Sequence, residues 1–164
     1  PYSASKFALV GFSEGLRGAL ARSGIYVTTV CPGLMRTGSP RNALFKGRHR
    51  EEYAWFSIAD SLPLLSMSAE RAARRILDAC RYGDAELTMP LTATAAIKCD
   101  ALFPGIGMDL LGLTERMLPK PGGIGTGTRR GAESESRWSP SLLTTLTDRA
   151  AERNNQLGTA ARRG

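Results

Sequence analysis

Tyr2 and Lys6 stand four residues apart at the head of a stretch, Tyr2 to about Ala21, whose apolar residues recur at helical steps. An α-helix turns once every ~3.6 residues, so positions i and i+4 share a face and the Tyr2 phenol can stand beside the Lys6 ammonium. A free phenol has a pKa of about 10 and is a poor base at neutral pH, but a fixed cation favours the phenolate and lowers that value. A tyrosine held this way can give or take a proton in carbonyl or alcohol chemistry. The same spacing also describes an ordinary amphipathic surface pair, and the pair alone does not choose between the two.

The elements around the pair narrow the choice. Within the predicted helix, Leu9, Phe12, Leu16 and Leu20 form one stripe, and Ala4, Ala8, Gly11, Gly15 and Gly18 a second with almost no side-chain bulk. Glycine weakens a helix by up to ~1 kcal/mol per position relative to alanine, so three of them imply a neighbour packed close to the backbone. That neighbour is either the sheet of the same chain or the same helix of a second subunit. Gly24 is suited to a left-handed cap. The β-branched run Ile25–Cys31 then reads as a strand buried in a parallel sheet, stopped by Pro32. Open α/β sheets bind ligands at the carboxyl ends of their strands, which is where Pro32 to Thr37 falls.

Taken together, Tyr2 and Lys6 within YSASKFALVGFSEGLRGAL, followed by a strand and then Pro32, Gly33 and Thr37, resemble the short-chain dehydrogenase/reductase family. They match its Tyr-x-x-x-Lys and Pro-Gly-x-x-x-Thr motifs. The resemblance is clear over the first quarter of the chain and fainter to about Pro90. It implies that Tyr2 is the catalytic acid/base, that Lys6 lowers its pKa and binds the nicotinamide ribose, and that Pro32, Gly33 and Thr37 line the nicotinamide of NAD or NADP. It also implies an oxidoreductase that interconverts a small-molecule carbonyl and an alcohol by hydride transfer. The family carries its Gly-rich cofactor loop, its NAD-or-NADP selecting residue, an Asn and a catalytic Ser ahead of the tyrosine, whereas the chain starts at Pro1. The expected fold is therefore α/β, a C-terminal fragment of a doubly wound Rossmann-type parallel sheet with an extended, mainly helical tail. Without the cofactor loop and serine, such a fragment is expected to be inactive alone.

Four segments follow from the same reading. Residues 1–90 form the C-terminal part of the Rossmann-type domain. Within them Gly38–Ser66, with Phe45, Tyr53, Trp55 and Phe56, occupies the place of the family's substrate lid. Those aromatics suit either a bulky apolar substrate or a core beneath a helical excursion. Ser68 reads as the N-cap of a helix with apolar positions Ala73, Ile76, Leu77 and Cys80, ended by Gly83, and Ala85–Met89 as a strand ended by Pro90. Residues 91–118 form an apolar helical extension broken at Pro104-Gly105. It can cover a sheet edge, meet a second subunit or lie on a membrane surface, in that order.

Residues 119–138 read as a flexible linker. Its Gly123-Ile124-Gly125-Thr126-Gly127 lacks the leading strand and following apolar helix that a dinucleotide loop requires. Residues 139–164 form a last helix with Ser139 as N-cap, Pro140 at its first position and Leu142, Leu143, Leu146 and Ala150 on its apolar face, fraying after Asn154.

Composition bounds the remaining classes. The 164 residues are 42% hydrophobic and 23% charged, as in a globular domain with one core. The formal charge of +7 is spread over several arginine runs and reads as solvated faces, so nucleic acid is not an expected partner and peripheral membrane contact is a minor option. A homo-oligomer through the Tyr2–Ala21 helix is the partner that the resemblance favours. Three cysteines without metal spacing suit reduced thiols, Cys31 being a small buried apolar residue, and a cytoplasmic location. His49, the single histidine, sits among arginines and reads as a solvated surface residue rather than a metal ligand or base. The alternative to the enzyme is a non-catalytic binding module that uses its basic tail.

Overall fold

A computed structural model describes residues 1–157. The chain opens with helix α1 (Tyr2–Leu20), extended by a 3-10 turn at Ala21–Ser23 and closed by Gly24 in the left-handed region, as its sequence predicts. Strands β1 (Thr29–Pro32) and β2 (Leu34–Arg36) follow in one nearly continuous extended segment. After a 3-10 turn at Ser39–Arg41 come the short β3 (Leu44–Phe45), helix α2 (His49–Ser61), strand β4 (Ser66–Ser68) and helix α3 (Ala69–Tyr82). Strand β5 (Glu86–Met89) leads to helices α4 (Leu91–Leu102) and α5 (Pro104–Met117). The described chain ends with β6 (Arg129–Arg130), a 3-10 turn at Gly131–Glu133 and helix α6 (Thr145–Arg153).

The strands form three two-stranded ladders among the described residues. β1 pairs with β5 and β2 with β4, both parallel, and β3 with β6 antiparallel. Parallel neighbours need a crossover connection: α2 lies between β2 and β4 in the chain, and α2 and α3 lie between β1 and β5. The core lies against these parallel pairs: Met67, Ala72 and Met89 are buried, with Val30, Met35, Ile76 and Leu87 packed around them.

The first strand is shorter than Ile25–Cys31 and lies further along. Its ladder begins only where the Thr29 amide meets the Ala85 carbonyl. Before that point the Val27 carbonyl accepts from Arg17 instead of from a strand. Nor does Pro32 end the extended chain. The segment changes partner at Gly33, from β5 to β4.

In α3 the Ser68 cap and the Gly83 stop are as expected, the Ser68 hydroxyl accepting from the Arg71 amide. The buried face is different. Ala72 and Ala79 point inward, while Ala73, Leu77 and Cys80 are exposed. Small residues let the helix axis approach β4 and β5, whereas apolar periodicity alone puts the larger Leu77 inside.

The C-terminal third departs further. The helix break at Pro104-Gly105 is where the sequence puts it. The segment read as linker is docked in its second half, where β6 pairs with β3 and Gly131 is buried. A Cβ at Gly131 would collide with the Pro40 carbonyl and the Tyr53 ring, so only glycine fits there.

The last helix starts at Thr145 rather than after Ser139. The Ser141 and Thr144 hydroxyls accept from the Leu143 and Ser141 amides and hold residues 141–144 as turns. Its buried side is Thr147 and Ala151, while Leu142 is 96% exposed. Part of the stretch expected to fray, 158–164, lies outside the described residues.

Candidate functional site

Tyr2 and Lys6 share one face at the N-terminal end of α1, the Lys6 ammonium lying 5.3 Å from the centroid of the Tyr2 ring. Tyr2 is 75% exposed, and among the described residues its phenol oxygen makes no hydrogen bond. The ammonium therefore engages the aromatic face, a cation–π contact worth ~0.5–1 kcal/mol at an exposed site. Donor and acceptor atoms of both side chains remain open to a ligand.

The far end of α1 is fixed by Arg17. Its guanidinium donates to the carbonyls of Val27 at 2.7 Å, Gly83 at 2.8 Å and Asp84 at 3.4 Å, and lies over the Tyr26 ring. Arg17 thus ties the helix to the entry of β1 and to the turn before β5. Sequence reasoning missed it. The available signal was one guanidinium among the small and apolar residues of the helix. Nothing lies within 4 Å of where Cβ atoms would sit on Gly11, Gly15 and Gly18, so the close neighbour expected there is not among the described residues.

Pro32 and Gly33 stand at the carboxyl end of β1, beside the corresponding end of β5. The Gly33 amide donates to the Met89 carbonyl at 2.6 Å, and a Cβ at this position would press on the Pro90 ring at 3.0 Å. A side chain here would need the Pro90 ring to give by a few tenths of an ångström, so glycine eases the approach of the two strand ends. Thr37 lies beyond β2 in a different setting: its hydroxyl accepts from the Ser39 amide, and its carbonyl accepts from the Asn154 side chain. Among the described residues no hydrogen bond or ring contact joins Thr37 or the Pro32-Gly33 turn to Tyr2 and Lys6. Cys31, next to that turn, is half-buried, and burial with the Glu86 and Glu14 carboxylates raises its thiol pKa.

Two further groupings come from the segment after Thr37. Along the contact of α2 with α6 runs a buried polar seam. The Ser61 hydroxyl donates to Thr147 Oγ1 at 2.8 Å, and Thr147 Oγ1 lies 3.2 Å from Asp60 Oδ2. Asp60 is 2% exposed, and burial pushes its carboxyl up to about 6, against the pull of the Thr147 hydroxyl and Arg36. Tyr53, 1% exposed, is held above the usual tyrosine range by burial, against the opposing pull of Arg41 and of the Ser57 and Ser139 hydroxyls. Those two hydroxyls lie beside the phenol without a well-aligned hydrogen bond. His49 is half-buried rather than solvated, its Nδ1 2.9 Å from the Ser134 hydroxyl, because the docked 3-10 turn at Gly131–Glu133 closes over the start of α2.

The second grouping is a cleft of about 360 Å³ between α2 and the C-terminal end of α5. Phe45, Trp55, Phe56 and Leu118 line it together with Glu52 and Glu115. The four aromatics expected in a lid therefore divide. Tyr53 is core, Phe45 serves both core and cleft, and Trp55 and Phe56 face the cleft. No helix among the described residues is long and apolar enough to cross a membrane.

Comparison with known proteins bears on the first of these elements most strongly. Residues 1–44 match the short chain dehydrogenase family. A Streptomyces coelicolor protein provisionally named ketoacyl reductase is 57% identical over 37 residues, which are 23% of this chain and 14% of the relative. SadH of Mycobacterium tuberculosis, provisionally named an oxidoreductase, is 36% identical over 97 residues, 57% of this chain and 34% of the relative. A ketoacyl reductase, again provisionally named, of the granaticin polyketide synthase of Streptomyces violaceoruber is 46% identical over 54 residues, 33% of this chain and 18% of the relative. The chain thus spans about a third or less of the length of these curated relatives. No solved structure matches it.

Proposed function

Residues 1–44 are short-chain dehydrogenase/reductase sequence, and from that premise we propose that the chain supplies the proton-transfer pair of an oxidoreductase that interconverts a carbonyl and an alcohol. The observation that carries the reading is the Tyr2–Lys6 pair, on one face of α1 with its polar atoms free. The reductase and oxidoreductase names of the relatives support it. In this reading the mixed α/β fold, with its parallel β1–β5 and β2–β4 pairs, is part of a doubly wound sheet.

The residues fit the nicotinamide end of NAD or NADP, which when bound supplies or accepts the hydride. The Lys6 ammonium, held over the Tyr2 ring, has its three donors open to the ribose hydroxyls. The exposed Tyr2 phenol, free of hydrogen bonds among the described residues, has its proton available for a developing alkoxide. Gly33 leaves backbone exposed at the strand end, and Thr37 keeps a hydroxyl proton to donate.

The test is a chimera joining this chain to the dinucleotide-binding half of a short-chain dehydrogenase, assayed for carbonyl-dependent oxidation of NADH and of NADPH. Turnover is expected, and Tyr2→Phe should lower kcat by at least ~10²-fold, the usual weight of a general acid. A Phe variant with near-normal kcat overturns the role of Tyr2. Activity with one coenzyme and not the other identifies the cofactor.

A further inference from the structure

We propose that the cleft between α2 and the C-terminal end of α5 binds an organic cation with an apolar body. The cleft of about 360 Å³ falls in the range of small-molecule sites, roughly 300–1,000 Å³. Its walls are the aromatic rings of Phe45, Trp55 and Phe56 with Leu118 opposite, surfaces that reward a flat or branched hydrocarbon.

Charge decides what that hydrocarbon carries. Glu52 from α2 and Glu115 from α5 converge on the cleft from positions far apart in the sequence, and no Lys or Arg lines it. In a chain of net charge +7, nearby Glu51 is paired with Arg48 at 3.2 Å, yet neither Glu52 nor Glu115 has an ion-pair partner among the described residues. Two unpaired carboxylates beside aromatic faces attract a cation twice over, by direct charge and by the negative face of the rings. They repel a carboxylate or phosphate. Occupancy of the cleft is independent of the hydride chemistry proposed for Tyr2, and its test reads binding alone.

The full chain carrying Trp138→Phe retains Trp55 as its one tryptophan and reports on the cleft by fluorescence. It is titrated with benzyltriethylammonium, with neutral benzyl alcohol and with phenylacetate. The expected result is a saturable change with the ammonium and at least tenfold weaker binding of phenylacetate. Glu52→Gln with Glu115→Gln should reduce the ammonium affinity at least fivefold, to the level of the alcohol, with unchanged circular dichroism. Should the double variant fail to fold, the exposed Glu115→Gln alone must still weaken the ammonium. Equal affinity for all three probes, an ammonium affinity untouched by the glutamines, or no saturable change overturns the proposal.

Discussion

At the scale of single residues, the described chain separates side chains whose chemistry can be read locally from those whose chemistry comes only with folding. Tyr2 and Lys6 belong to the first kind, since helical spacing alone puts them on one face. Asp60 belongs to the second. It looks like any acidic residue near the end of a helix, and only the docking of α6, more than eighty positions later, buries it against Thr147. Its carboxyl is raised to about 6, above the ordinary value of 3.8. The folded form therefore holds a proton that the unfolded form has lost between those two values. The stabilising contribution is complete below pH ~4 and disappears as pH rises through 6, where the buried carboxylate must ionise. Asp60→Asn keeps the acceptor for Thr147 and removes the ionisation. Urea midpoints of wild type should fall from pH 4 to pH 8 relative to those of the variant, which should be the more stable above pH 6. Parallel midpoints across that range would show that Asp60 is solvated in solution.

At the scale of elements, the ends of α3 were legible and its buried face was not. Caps are local chemistry: a hydroxyl reaching the amide three residues on needs no knowledge of the rest of the fold. Ser68 and Gly83 accordingly bound α3 where the sequence places them. Ser68→Ala should lower stability by about 1 kcal/mol, the usual weight of a lost N-cap, measurable as a shift in urea midpoint with unchanged slope. An unchanged midpoint would mean that the Arg71 amide finds water at no cost. Which face of a helix is buried depends on its partner, and here the partners reverse the hydrophobic reading. α3 turns alanines inward for close approach to its strands. α6 turns Thr147 inward because α2 offers it Ser57, Asp60 and Ser61, and leaves Leu146 exposed. Ser139-Pro140, a helix start by local pattern, lost to the hydroxyl turns of Ser141 and Thr144. Gly131 was lost among the glycines of an apparent linker because its need for zero bulk arises from Pro40 and Tyr53, remote in sequence.

At the scale of the whole molecule, α1 is the element out of place. It has no buried residue, although it carries the stripes of apolar and small residues from which contact was expected. Phe7 is 81% and Phe12 66% exposed, and the glycine stripe meets open space. Contiguous apolar surface of this kind is rare on isolated soluble domains and marks a face that another surface covers. The sequence showed that α1 wants a neighbour but could not say which, since packing on strands and packing on a second helix draw on the same residues. The α4–α5 pair is also apolar and without buried residues, so it competes as the site of association. The two can be separated. Phe7→Ser with Phe12→Ser touches nothing packed, so its folding stability should change by no more than about 0.5 kcal/mol. If α1 is the adhesive face, wild type should sediment as dimers or larger species at micromolar concentration and the double variant as a smaller one. If the variant forms the same larger species as wild type, association runs through α4 and α5 instead.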